Sequence, residues 1–310
     1  MICDKIKNII NEETIIYENF NEKIEIFYDE YKSHTFFDKK IKYDILTYFR
    51  KNTDNLLIMG QDAIKRNPQT ILPVFNRWKW CKDLEDFSII ILNDPTLYLN
   101  NDIRCGWFQG TEDNFYMEKI KILLENISKD LKINLKNVYH YGASAGGFTS
   151  LCLASMMKGS SAIVDICQTD LFEIYYKISS LSLDKTFENK IKKITHDILK
   201  TSYHDKNIEE ILNIYKNRIS VNHCFRKYNN IPNILYLQNI NDVLHNMCIG
   251  SFINLFSESH SLLPENKNKI FEMHFYNNKG EVGKGGHDVL DKKNTIEKIK
   301  YAVKIFNKNN

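Results

Sequence analysis

The chain of 310 residues balances 42 Lys and Arg against 39 Asp and Glu. The resulting net charge of +3, with the two signs interspersed, excludes the concentrated basic face of a nucleic-acid binder. Hydrophobic residues at 43% with only 12 Gly and 5 Pro exclude collagen-like and Pro/Gly-rich disordered chains.

In chain order, the first fifty residues carry strand-like pieces at Ile24–Tyr28 and Tyr43–Phe49, read as an antiparallel start to a sheet or as a lead-in layer over 1–50. The main domain is expected over 51–310. Short β-branched or apolar runs follow at Leu56–Gly60, Ser88–Asn93, Asn137–Gly142, Ala162–Cys167, Ile234–Gln238 and Phe271–Tyr276. Several are almost continuously apolar, as strands covered on both faces must be. Between them, Asn114–Leu131 repeats Ile and Leu at helical spacing, and a last helix over Val289–Phe306 carries an apolar stripe through Ile299, Ala302 and Val303. The alternation predicts an α/β protein with a mostly parallel central sheet flanked by helices. About sixty residues of charged, helical pattern from Leu171 to Tyr228 interrupt it, and we read them as an inserted helical cap at about 171–232.

Charges follow the first Met before any apolar leader could form, and no apolar run reaches the roughly 18 residues that would span a bilayer. The seven cysteines are scattered without C-x-x-C spacing, which predicts free thiols in a reducing, cytoplasmic compartment and no zinc site.

The chemistry concentrates in Asn137-Val-Tyr-His-Tyr-Gly-Ala-Ser-Ala-Gly-Gly-Phe148, where a strand runs through Gly142-x-Ser144-x-Gly146 into a helical pattern over Phe148–Met157. This is the pattern of a nucleophile elbow, in which a serine sits on a sharp strand-to-helix turn and its neighbours two residues away must be small. The helix start offers the N–H of Ala145 as an oxyanion donor. An acid and then a histidine should follow on loops after later strands. Asp242 comes after Ile234–Gln238, and His287 closes a Gly-rich loop, 280–286, after Phe271–Tyr276. A serine hydroxyl at its ordinary pKa is a poor nucleophile, so a base must take its proton and an acid must orient that base. His245 competes as the base; Asp165 and Asp170 compete as the acid. His140, on the elbow strand, reads as a satisfied histidine, and the remaining histidines show no ligand spacing. The second oxyanion donor is expected after Leu56–Gly60, at the N–H of Gln61. Trp78, Trp80, Trp107 and Phe108 serve either as packing or as a platform for sugar rings.

With these residues in place, the chain resembles bacterial capsular polysaccharide biosynthesis proteins of the α/β-hydrolase fold. The resemblance runs through Leu56–Gly60, Pro73-Val-Phe-Asn-Arg-Trp78, Leu92-Asn-Asp-Pro-Thr-Leu97, Gly106-Trp-Phe-Gln-Gly110, Tyr141–Phe148, Gln168-Thr-Asp170 and Gln238-Asn-Ile-Asn-Asp242. It departs from the pattern at Gln61-Asp62, where small residues are usual. It implies a serine acyltransferase or esterase that uses Ser144, Asp242 and His287 to move an acetyl group from acetyl-CoA to a sugar hydroxyl. A carbohydrate or polysaccharide acceptor is then the partner, in a homo-oligomer or a capsule-assembly complex, with no permanently bound cofactor. Two other readings stand beside it: a small-ester carboxylesterase, and a non-catalytic hydrolase-fold scaffold in polysaccharide biosynthesis or export.

Overall fold

Nine strands form one sheet in the order β1-β2-β3-β5-β4-β6-β7-β8-β9 in this computed structural model, which describes residues 13–173, 185–204, 206–262, 268–278 and 286–308. The strands are β1 (Ile15–Tyr17), β2 (Tyr31–Asp38), β3 (Ile41–Tyr48), β4 (Leu56–Met59), β5 (Ser88–Leu92), β6 (Val138–Ala143), β7 (Ser161–Asp165), β8 (Asn233–Asn239) and β9 (Phe271–Tyr276). From β5 to β9 every pairing is parallel, whereas β3 pairs antiparallel with both β2 and β5. The first fifty residues therefore contribute β1–β3 to this sheet.

The expected strand over Ile24–Tyr28 does not form. That stretch is irregular apart from a single bridge between Tyr28 and Phe49, and the ladder begins only at Tyr31. β2 carries Lys, Ser, His, Thr and Asp among its aromatics, and β1 is three residues long, so neither stands out as an apolar run.

Alternating residues of the central strands feed two apolar layers. On one side Ile58, Ile90, Val164 and Tyr236 pack with helices α1 (Tyr116–Asp130) and α2 (Ala145–Met156). On the other, Leu57, Ile89, Tyr141, Ile163 and Leu235 pack with Ile299, Ala302 and Phe306 of the last helix. Between β7 and β8 the described chain is helical: α3 (Lys185–Tyr203), α4 (Ile208–Ile214), α5 (Lys216–Ile219) and α6 (Val221–Tyr228). Residues 174–184 and 205 of the expected cap lie outside the described residues, as do 279–285 of the Gly-rich loop. α7 (Val243–Leu262) follows β8, and α8 (Lys292–Asn307) ends the fold.

His140 corrects its sequence reading. It sits in β6 between Ile58 and Ala162, fully buried, and neither ring nitrogen has a hydrogen-bond partner among the described residues. Burial pushes its pKa down to about 3; His34, buried in β2 beneath Tyr17 and Thr47, is likewise lowered to about 3. Below the ordinary value near 6.5 the unfolded chain takes up protons that the native chain refuses. Stability is therefore lost as pH falls from about 6.5 towards 3, at about 1.4 kcal/mol per pH unit for each histidine. Urea unfolding at about pH 7 and about pH 5 should show this slope, and His140→Leu should remove its share while leaving neutral-pH stability equal or higher.

Candidate active site

Ser144 is the single residue between β6 and α2, and its backbone takes φ 50 and ψ −118, a region that side chains other than glycine rarely occupy. The strain persists because the surroundings hold it. The Ser144 N–H donates to Asp165 O at 3.0 Å, and its carbonyl accepts from Gly147 N–H at 3.1 Å and Gln168 N–H at 3.3 Å. The small neighbours are required. A Cβ on Gly142 would run into the Gly146 carbonyl, and one on Gly146 would come within 2.7 Å of Asp62 Oδ1 and 3.0 Å of Gly60 O. Because backbone cannot retreat here as a side-chain tip would, Gly142→Ala should cost at least about 3 kcal/mol in denaturant unfolding.

The turn brings Ser144 Oγ to 3.0 Å from His287 Nε2, and His287 Nδ1 to 2.7 Å from Asp242 Oδ2. With a carboxylate facing Nδ1, that nitrogen carries the ring proton. Nε2 is then free to accept from the serine hydroxyl. Loop contacts on both sides fix the histidine. Asn239, at the end of β8, donates from Nδ2 to Gly286 O at 2.8 Å and to Asp288 O at 3.2 Å. The Tyr276 hydroxyl shares its one proton between Asp165 Oδ1 at 2.7 Å and Asp288 O at 3.0 Å, and Leu290 N–H donates to Asp165 Oδ2 at 2.9 Å.

The rival residues take other places. Asp165 is spent on the segment after His287, and burial raises its pKa to about 6. Asp170 accepts from the N–H groups of Phe172 and Glu173, each at 3.0 Å. His245 lies in the first turn of α7, fully buried, and its Nδ1 reaches Asp242 Oδ2 at 2.8 Å, the same oxygen that receives His287. Its ring stacks on His287 with centroids 4.5 Å apart, and its Nε2 has no partner among the described residues. Burial lowers the pKa of His245, so its ring stays neutral. Burial works to raise the Asp242 carboxyl, but His245 and then His287 more than offset it and hold the group well below the usual carboxylate range. Ligand-type atoms of Asp242, His245 and His287 lie within 4.8 Å of one another, and the two bonds to Oδ2 account for that closeness.

The sharing of Asp242 between His287 and His245 is the feature that sequence reasoning missed. Asp242 and His245 stand three apart at a helix start, a spacing that places both on one turn. A second such feature is the half-buried ion pair of Asp62 with Arg77, whose guanidinium lies over the rings of Trp80 and Tyr141. Gln61 turns its amide nitrogen towards Val74 O at 2.8 Å and Leu92 O at 3.1 Å. Its backbone N–H makes no hydrogen bond among the described residues. A cavity of about 270 Å³ opens beside Ser144, with Ala63, Ile64, Lys65, Arg104, Trp107 and Ala145 among its walls. Among the described residues that line it, Lys65 and Arg104 are cationic and none is acidic.

A parallel sheet with an antiparallel start, a serine on a strained strand-to-helix turn, and an acid and a histidine after later strands define an α/β-hydrolase fold. No protein-family model and no curated protein matches the chain. Among solved structures it is similar to the capsule O-acetyltransferase of Neisseria meningitidis serogroup A, with a TM-score of 0.57 and 16% identity over 86% of this chain and 93% of that one. A variant of that enzyme in complex with CoA matches with a TM-score of 0.53 and 14% identity over 88% of this chain and 94% of that one. S-formylglutathione hydrolase (FrmB) from Staphylococcus aureus matches with a TM-score of 0.50 and 12% identity, over 89% and 98% of the two chains. Among the described residues no helix is long and apolar enough to cross a membrane.

Proposed function

We propose that the chain is a serine acyltransferase that moves an acetyl group onto a carbohydrate hydroxyl in the biosynthesis of a surface polysaccharide. The observation that carries this reading is the continuous relay from Asp242 Oδ2 through His287 to Ser144 Oγ. His287 Nε2 takes the hydroxyl proton while Ser144 Oγ attacks the thioester carbonyl of acetyl-CoA. The C–S bond breaks, the thiolate leaves with that proton, and an acetyl-serine remains. A sugar hydroxyl then gives its proton to His287 and attacks the acetyl carbon, and the proton returns to Ser144. The developing oxyanion is held by the N–H of Ala145, which as the first residue of α2 has no intrahelical acceptor, and by the N–H of Gln61.

Lys65 and Arg104 suit a donor that bears phosphates, and the similarity to a capsule O-acetyltransferase supports a sugar acceptor. In this reading residues 51–310 carry the hydrolase unit and the helices of about 171–232 cap it. The enzyme works in the cytoplasm, alone or in a homo-oligomeric or capsule-assembly complex. A second reading, hydrolysis of small esters, draws on the likeness to S-formylglutathione hydrolase. The two part on one experiment: acetyl-CoA is supplied with and without a panel of oligosaccharides, and free CoA and acetylated sugar are followed together. Transfer predicts CoA release that rises with acceptor and an equal yield of sugar ester. CoA release equally fast without acceptor supports hydrolysis instead.

A further inference from the structure

The sequence left Trp107 between packing and a sugar platform, and its burial in the apolar core favours packing, with the indole also lining the cavity beside Ser144. Trp107 and the following Phe108 both adopt left-handed backbone, with φ 47 and 53, a costly state for large side chains that must be imposed from outside. Three sets of contacts impose it. Asp94 Oδ2, buried, accepts from Phe108 N–H at 3.0 Å. Gln109 is anchored to the inserted helices, accepting from the Tyr203 hydroxyl at 2.5 Å and donating to Arg218 O at 2.7 Å. The indole N–H of Trp107 donates to Gln168 Oε1 at 2.5 Å, and the N–H of the same Gln168 bonds the carbonyl of Ser144. The indole is thus held relative to the nucleophile's own backbone.

Trp107 lines the cavity beside Ser144 yet is only 3% exposed, so it closes that cavity rather than offering a ring face for a sugar to lie on. The apolar wall it makes with Ile64, Cys105 and Ile194 encloses a space below the roughly 300–1,000 Å³ usual for small-molecule sites. Resting on the acyl-transfer reading, we propose that Trp107 sets the size of the acyl group, its fixed indole admitting a two-carbon acyl chain and turning away longer ones.

The test compares kcat/KM for p-nitrophenyl acetate, butyrate and hexanoate in the wild type, Trp107→Phe, Trp107→Leu and Trp107→Ala, beside fluorophosphonate labelling of Ser144. The wild type and Trp107→Phe should prefer acetate. Trp107→Ala should raise the butyrate-to-acetate ratio by about tenfold or more, the effect of accommodating extra methylenes in an apolar pocket, and Trp107→Leu should move it the same way. Loss of packing alone would lower all three esters together. Retention of the wild-type ratio in either small variant that still labels overturns the size-setting role. Absence of labelling in the wild type overturns the acyl-transfer reading, and the proposal with it.

Discussion

Ser144→Ala is expected to lower turnover of p-nitrophenyl acetate and of acetyl-CoA by about 10⁴–10⁶-fold, the range found when a nucleophile is removed from a relay of this kind. The size of the effect follows from the geometry. Ser144 Oγ lies within hydrogen-bond reach of His287 Nε2, and the stacked His245 keeps its own Nε2 without a partner among the described residues. The fold should survive, because the elbow is held by the Ser144 N–H and carbonyl, which alanine retains. Stopped-flow and steady-state assays give the rate, and a melting temperature within a few degrees of the wild type, less than the shift from about 1 kcal/mol, shows that the loss is chemical.

Asp242→Asn is expected to cost about 10⁴-fold in kcat with a smaller change in KM. The Asp242 carboxylate receives three hydrogen bonds: Nδ1–H of His287 and of His245 on Oδ2, and the His245 backbone N–H on Oδ1 at 3.2 Å. With its amide oxygen in the Oδ2 place, an asparagine sets its NH₂ against the His245 backbone N–H; with the amide reversed, the NH₂ faces both rings. Where the NH₂ faces His287, Nδ1 becomes the acceptor, the ring proton moves to Nε2, and the base can no longer take the serine proton. Loss of a charged acceptor for the buried His245 and the half-buried His287 should also lower stability by about 1–3 kcal/mol. Because Asp242 is held below the usual carboxylate range, its contribution to stability is present above the unfolded value near 3.9 and is lost only as pH falls through the native value. The comparison with Asn is therefore best made at neutral pH, by initial rates and denaturant unfolding on the same preparations.

The central strands were legible because burial on both faces demands near-continuous apolar residues. Ser88–Leu92 and Phe271–Tyr276 could be bounded from the sequence to within a residue. β2 could not, since its buried His34 and Thr35 are satisfied by the cross-strand partners Thr47 and Asp44, which a one-dimensional pattern does not show. The misplaced strand at Ile24–Tyr28 has the right residue types but no neighbour to complete a ladder beyond one bridge.

In the site, local chemistry was legible and through-space chemistry was not. The Gly142-x-Ser144-x-Gly146 spacing dictates an elbow because backbone would collide with any larger residue at Gly142. The sharing of Asp242 by two rings depends on α7 starting where it does, and the fixing of Trp107 depends on residues 61 to 111 positions away in sequence, Gln168 and Arg218. His140 read as a satisfied histidine because a strand position gives no sign that both ring nitrogens lack a hydrogen-bond partner among the described residues.

The account rests on Ser144 being a nucleophile activated by His287. Intact-mass analysis after exposure to a fluorophosphonate probe addresses this without assuming a substrate, with Ser144→Ala and His287→Ala treated in parallel. The account predicts one adduct per wild-type chain, located at Ser144 and absent from both variants. A folded wild type that takes up no adduct, or an adduct that persists in Ser144→Ala, would contradict it and favour a non-catalytic role for the fold.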